Sequence, residues 1–214
     1  MRQHVALDQW VRDGQWLIVP DGPQPRRPSE TTVGIAGFGR IGSRVAEYAS
    51  ALGLRVIVAD PYVDEERILQ AGCIPMELGE LVAEADVVSL LVPLMEETRH
   101  LIDRSTLRAM KAGAFLVNTC RGELVDEQAL VEALDADLLG GAALDVFESE
   151  PLPAESPLRH TPRLILGPHA AWYSASALSD LPLRAARQVV DFFSGAPAAA
   201  VVNPGYRSAA DSAV

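Results

Sequence analysis

The feature that most limits this chain is a turn with almost no side chains. Val33-Gly34-Ile35-Ala36-Gly37-Phe38-Gly39-Arg40-Ile41-Gly42 runs from an apolar strand through spaced glycines into a helical pattern. Backbone laid against a bulky anion leaves no room for Cβ atoms, so Gly37 makes the tight bend, Gly39 permits close approach and Gly42 lets helix and strand touch. The anion then faces the positive end of the helix that follows. Taken alone, such a glycine pattern often serves only loop geometry. Here a second strand, Arg55-Val56-Ile57-Val58-Ala59, closes on Asp60, 23 residues after Gly37, where about 20 are expected for an acid that meets a ribose hydroxyl. Turn, helix and acid together read as a dinucleotide-binding unit.

From Val33 onward, short apolar runs alternate with segments of helical period, which predicts βαβ units and hence an α/β fold: a doubly wound parallel sheet with helices on both faces. Strands are expected at 33–36, 55–59, 87–92, 114–118, 140–144 and 163–166, with helices at 43–52, 64–70, 77–85, 104–110 and 127–134. Asp103 and Asp126 are placed as N-caps, Gly53 and Gly113 as helix stops. Upstream, Val5, Leu7, Trp10, Val11 and Trp16 predict a short helix stopping at Asp13-Gly14, whose tryptophans need something to pack on. The proline-rich stretch 20–30 reads as an extended linker. A last helix is expected over 174–194, ending at Gly195. Pro182 should kink it, unless the helix starts near Ser179 and places the proline in its first turn. The Ala/Ser-rich tail 207–214 is expected to be disordered.

The 214 residues hold one doubly wound domain with extras, or two small domains, and 49% apolar content is ample for a core. A net charge of −11 argues against nucleic acid or an anionic membrane as partner, since both select basic surface. No signal-peptide pattern follows Met1, and no run reaches the roughly 18 apolar residues of a membrane helix. A cytoplasmic protein is expected. Cys73 and Cys120 have neither C-x-x-C spacing nor partners enough for a metal site, and read as free thiols.

Ligands of doubly wound sheets bind beyond the carboxyl ends of the strands. Those ends deliver Thr119-Cys120-Arg121-Gly122, then Asp145 followed by Glu148-Ser149-Glu150-Pro151, then Gly167-Pro168-His169. An arginine, a carboxylate and a histidine at one edge suit reduction of a 2-oxo acid. Arg121 could clamp the substrate carboxylate through its planar fork. His169 could protonate the carbonyl oxygen while hydride reaches the carbon. Glu150, if bonded to His169, would favour the imidazolium and orient the ring. The residue types alone leave plainer readings open: a surface ion pair for Arg121, a packed histidine for His169, a loop acid for Glu150.

Five blocks carry a resemblance: Gly37-Phe38-Gly39-Arg40-Ile41-Gly42; Asp86 to Leu94; Glu97-Thr98-Arg99-His100-Leu101-Ile102; Asn118 to Asp126; and Ala143 to Pro151. In this order they resemble the D-isomer-specific 2-hydroxyacid dehydrogenases over about residues 5–203. The segment Pro168 to Ser174, with Asp60-Pro61-Tyr62, is similar to the C-terminal-binding-protein branch, which includes NAD-dependent corepressors. The resemblance implies that Arg121, Glu150 and His169 form the catalytic triad. It implies that Gly37, Gly39, Arg40, Ile41 and Gly42 hold the pyrophosphate, Asp60 the adenosine ribose, and Val92, Pro93 and Thr98 the adenosine side. It places Thr119, Cys120, Arg121, Asp145, His169, Ala170 and Ala171 toward the nicotinamide. Asp60 favours NAD over NADP, because a carboxylate repels a 2′-phosphate. The resemblance also implies a homodimer and a small 2-oxo or 2-hydroxy acid as substrate.

Departures matter too. Such proteins carry a substrate domain ahead of the dinucleotide domain, and by this resemblance none is expected within residues 1–214. Residues 1–30 are similar to the end of the crossover helix plus a linker, 31–172 to the NAD domain, and 173–206 to a second crossover helix with the return segment 200–204. Leu91 stands where many members have His, and Cys120 where Ala or Ser is usual. Two functions follow as expectations: an NAD-dependent oxidoreductase, with turnover threatened by the missing wall of the cleft, or a noncatalytic NAD-binding regulatory module.

Overall fold

Six segments join successive strands and must each return the chain to the sheet's starting edge, and five of them carry an α-helix. Helical crossovers of this kind force parallel pairing. The computed structural model describes residues 4–16 and 26–196. The expectations for 20–25, for 200–204 and for the tail therefore lie outside the described residues. A short helix, α1 (His4–Arg12), precedes the strands β1 (Thr32–Ala36) and β2 (Arg55–Ala59), with α2 (Arg40–Ala51) between them. Then come α3 (Glu65–Gln70), β3 (Ile74–Pro75), α4 (Leu78–Glu84), β4 (Val87–Leu90), α5 (Arg104–Ala109) and β5 (Phe115–Asn118). The series closes with α6 (Glu127–Asp135), β6 (Gly141–Leu144), β7 (Leu164–Leu166) and α7 (Ala175–Phe193). All pairs are parallel and the order is β3-β2-β1-β4-β5-β6-β7. The chain reverses its direction of travel across the sheet between β1 and β4, where doubly wound sheets bind ligands.

Both faces of the sheet are covered, so its central strands are predominantly apolar rather than alternating. The two-residue period of β2 sends Val56 and Val58 to one core with Ala46, Ala49 and Ile68, and Ile57 to the other with Leu81, Val82 and Leu130. The structure divides into two compact units, one ending at Ala171 and one beginning at Trp172. In the second, α7 is capped by the Ser174 hydroxyl, which accepts from the Ala177 amide at 3.0 Å, and none of its residues is buried. Among the described residues no helix is long and apolar enough to cross a membrane.

Several expectations need correction. β3 was not expected: it is two residues long, sits at the sheet edge and contains Pro75, which an edge tolerates. β4 ends at Leu90, so Leu91 and Val92 leave the sheet. Gly113 does not stop a helix. It lies in a tight turn closed by the Ala114 amide donating to Lys111 O at 2.9 Å, beyond the α5 cap at Met110. Residues 28–30 form a single 3-10 turn rather than extended chain. α7 starts at Ala175, so Pro182 is interior and the helix passes through it. The intrahelical bond lost there falls on the carbonyl of Leu178, which is half exposed and can meet water. Of the two early tryptophans, Trp10 is half-buried and Trp16 is 84% exposed. Asp103 and Asp126 do cap α5 and α6, accepting from Thr106 N at 2.8 Å and Ala129 N at 2.9 Å.

At the sheet edge opposite the strand carboxyl ends, Asp86 ties three segments together. Its carboxylate accepts from Thr32 N at 2.8 Å, Arg26 at 2.7 Å and Lys111 at 3.2 Å. Burial pushes this carboxyl up, but the Thr32 amide and the Lys111 and Arg26 cations outweigh it and hold the group below its ordinary value. Asp86→Asn is therefore expected to cost about 1–3 kcal/mol of urea-measured stability at neutral pH. A carboxyl depressed in the folded state stabilises above its unfolded pKa of about 3.9 and ceases to do so as pH falls through the native value. The gap between the two proteins should accordingly close below about pH 4.

Candidate active site

Because every strand is parallel, the carboxyl ends of β1, β2, β4, β5, β6 and β7 open on one edge, and all the candidate residues lie there. After β1 the chain enters the glycine turn. Gly37 adopts φ +99°, and a Cβ on it would lie 2.5 Å from Leu91 O and 2.9 Å from a Val92 methyl carbon. A Cβ on Gly42 would lie 2.0 Å from Gly37 O. Both glycines are thus required by the protein's own packing. Gly39 is different: it is the N-cap of α2 with φ −75°, and a Cβ there meets no protein atom within 4 Å. Its glycine makes sense as room for a ligand, and the first-turn amides of α2 have no carbonyl partners within the helix. Arg40 and Ile41, the first two residues of α2, are exposed beside it.

The turn is held from two sides. Phe38 is buried, with the Arg67 guanidinium 5.9 Å from its ring centroid. Its amide donates to Asp60 Oδ2 at 2.7 Å, while Asp60 Oδ1 accepts from Tyr62 N at 2.9 Å. On the β4 side, the Thr98 hydroxyl donates to Pro93 O at 2.8 Å and accepts from Met95 N at 2.7 Å, which closes the loop that Val92 and Pro93 begin.

The second group forms after β5, β6 and β7. Asn118, the last residue of β5, is fully buried; its side chain donates to Arg121 O at 2.7 Å and accepts from Cys120 N at 3.0 Å. This fixes the turn carrying Thr119, Cys120 and Arg121. Cys120 donates its thiol to Leu90 O at 3.1 Å, and burial pushes that thiol up despite the opposing charge of Arg121, so it is a neutral packing group at pH 7. Gly122 lets the turn lie against the β6 loop, since a Cβ there would fall 1.8 Å from the Phe147 carbonyl carbon.

Glu150 and His169 meet directly, Oε2 to Nδ1 at 2.7 Å, and Glu150 Oε1 accepts from Phe147 N at 3.0 Å. The bond from His169 comes first among the influences holding Glu150 below the usual carboxylate range; the Phe147 amide follows, and the charges of His169 and Arg121 add to it. Arg121 is thus electrostatically part of the same group. His169 has φ +55°, in the left-handed region that a side chain rarely adopts. Asp145 secures it: Asp145 O accepts from His169 N at 2.8 Å, and its carboxylate accepts from Ala170 N at 3.0 Å and Ala171 N at 2.7 Å. Any cofactor contact of Asp145 would use the lone pairs that remain.

Sequence reasoning did not single out Asn118 as an organiser, although a polar residue ending a buried strand beside Thr119-Cys120-Arg121 was a readable signal. It named Glu148 at a strand end and His100 in a family block but did not associate them with each other or with Glu127, because the fold brings this second histidine and two acids together with no signal in their spacing. Among the described residues no cluster of histidine, cysteine or acidic groups could hold a metal ion.

A glycine turn at the reversal point of a parallel sheet, an acid closing the next strand, and a histidine–carboxylate pair at the same edge define a dinucleotide-binding domain of the dehydrogenase type. The model of the D-isomer specific 2-hydroxyacid dehydrogenase, NAD binding domain, matches residues 1–171, and the chain belongs to that family. It is 40% identical over 196 residues to a glyoxylate reductase of Korarchaeum cryptofilum, covering 91% of this chain and 59% of the relative. It is 42% identical over 172 residues to a D-3-phosphoglycerate dehydrogenase of Synechocystis, covering 80% and 31%. Among solved structures, the D-lactate dehydrogenase of Aquifex aeolicus complexed with NAD and lactic acid superposes with a TM-score of 0.80 at 32% identity, covering 89% of this chain and 61% of that one. The chain thus spans about three-fifths or less of the length of these relatives. None of the three bears on the finer likeness of residues 168–174 to the corepressor branch.

Substitution at two glycines separates ligand room from packing. Gly39→Ala should leave urea stability within about 0.5 kcal/mol of wild type yet weaken NADH binding measured by fluorescence titration. Gly42→Ala should instead cost about 1–3 kcal/mol of stability, because the backbone it meets must move.

Proposed function

We propose that this chain is the cofactor-binding half of an NAD-dependent oxidoreductase that interconverts a small 2-oxo acid and a D-2-hydroxy acid. The observation that carries the reading is the 2.7 Å contact between Glu150 and His169 at an edge where the charge of Arg121 also acts. His169 holds the proton for the carbonyl oxygen on Nε2, while Glu150 on Nδ1 fixes the tautomer and the orientation of the ring. With its carboxyl held low, Glu150 stays ionised at neutral pH. Arg121 offers a planar fork to the substrate carboxylate. When bound, NADH supplies the hydride.

The residues present suit that cofactor. Gly37, Gly39, Arg40, Ile41 and Gly42 would receive the pyrophosphate, Asp60 the adenosine ribose, and Val92, Pro93 and Thr98 the adenosine side. Thr119, Cys120, Asp145, Ala170 and Ala171 border the nicotinamide end. The acid at position 60 argues for NAD over NADP. The glyoxylate reductase relatives make glyoxylate the first substrate to try. A homodimer completes the proposal on the strength of the family resemblance, with the cytoplasm as its expected location.

The test is NADH oxidation by the purified chain with glyoxylate, hydroxypyruvate, pyruvate and bulkier 2-oxo acids, alongside NADH binding. Turnover is expected, with His169→Ala lowering kcat by about 10²–10⁴-fold while NADH affinity changes little. Binding of NADH without turnover of any of them would overturn activity of this chain on its own and favour the reading as a binding module.

A further inference from the structure

Outside the groups assigned to cofactor and substrate, the fold assembles a second histidine–carboxylate cluster immediately beside the first. His100 lies in the loop after β4, with φ +50° and its amide donating to Glu123 O at 2.8 Å. Its Nε2 lies 3.1 Å from Glu148 Oε1. The same oxygen accepts a long bond of 3.4 Å from the Glu127 amide at the first position of α6, while Glu127 Oε1 accepts from Glu148 N at 2.8 Å. Two acids are therefore held face to face across reciprocal backbone bonds. The Glu127 carboxyl is pushed up by burial first, and the charge of Glu148 raises it further against the amide it accepts. His100 is the side chain that gives Glu148 a donor.

Glu148 begins the short turn that ends at Glu150. Phe147 N bonds Glu150 Oε1 at 3.0 Å, and Glu150 Oε2 bonds His169 at 2.7 Å. The same turn lies on the Gly122 backbone, next to Arg121. A movement of Glu148 thus reaches Glu150 through two residues of backbone and one hydrogen bond. Without His100, the Glu148 carboxylate loses its 3.1 Å side-chain partner and keeps one long amide bond of 3.4 Å, so the turn loses its tether to the loop after β4.

We propose that His100 is a positioning residue: through Glu148 it holds the turn 147–150 in the geometry that presents Glu150 to His169. This rests on the reading of His169 as the proton-holding group. The test uses the full chain, labelled with nitrogen-15, and the imidazole N–H of His169. Bonded to Glu150, that proton should exchange slowly and resonate downfield, and it is assigned by its loss in Glu150→Gln and His169→Gln. His100→Ala and Glu148→Ala are each expected to lose or broaden it while the amide fingerprint of the sheet and the NADH affinity stay as in wild type. The double variant should be no worse than either single one. His100→Gln, which keeps an N–H donor, should restore the signal. Should His100→Ala fail to fold, Glu148→Ala and His100→Gln still decide the matter. An unchanged His169 resonance in His100→Ala or Glu148→Ala, or a His100→Gln protein lacking it, would overturn the inference. A wild-type spectrum with no such resonance would remove the Glu150–His169 pair itself, and this proposal with it.

Discussion

Parallel pairing is the constraint on which everything else here depends. Once β1 through β7 run the same way, every loop that follows a strand emerges on one edge, whatever its sequence. Residues as distant as Asp60, Arg121, Glu150 and His169 are then neighbours of a common rim. The sheet supplies rigidity and the loops supply chemistry, a division that lets Gly37 and Gly122 tolerate backbone contacts that no other residue would fit. Covering the sheet on both faces makes its strands predominantly apolar, which anchors the rim against a buried core.

The Glu150–His169 pair depends on supports that share no residue with it. His169 sits in an unfavourable backbone region, and Asp145 holds it there with three backbone bonds. Asn118 does the equivalent for the turn of Arg121. Such supports matter because alignment of reacting groups contributes about 7–11 kcal/mol in well-oriented systems, against roughly 3–5 kcal/mol for a proton donor. Geometry is the larger share, and here it is held by the buried Asn118 and the half-buried Asp145.

Much of this was legible in the sequence, for identifiable reasons. The glycine turn, the capping aspartates and the alternation of strand and helix periods are local signals, and the structure contains each of them. The failures were also local. β3 escaped because two residues containing a proline carry no periodicity. Gly113 was misplaced because a left-handed glycine serves a tight turn as readily as a helix end. Pro182 could have stood in the first turn of a shorter helix; it is interior to α7, where an exposed helix can give up one bond to water. Contacts such as His100 with Glu148, 48 residues apart, arise only from the docking of loops and have no trace in spacing.

Asp60 illustrates how little separation there is between recognition and architecture. The carboxylate that would meet the ribose also receives the Phe38 amide and so shapes the glycine turn itself. Redirecting such a domain from one nicotinamide cofactor to the other by replacing this acid would therefore also loosen the pyrophosphate seat. Cofactor preference in this protein is not an independent dial: a successful switch would need a second residue to take over the Phe38 amide before the acid could be dispensed with.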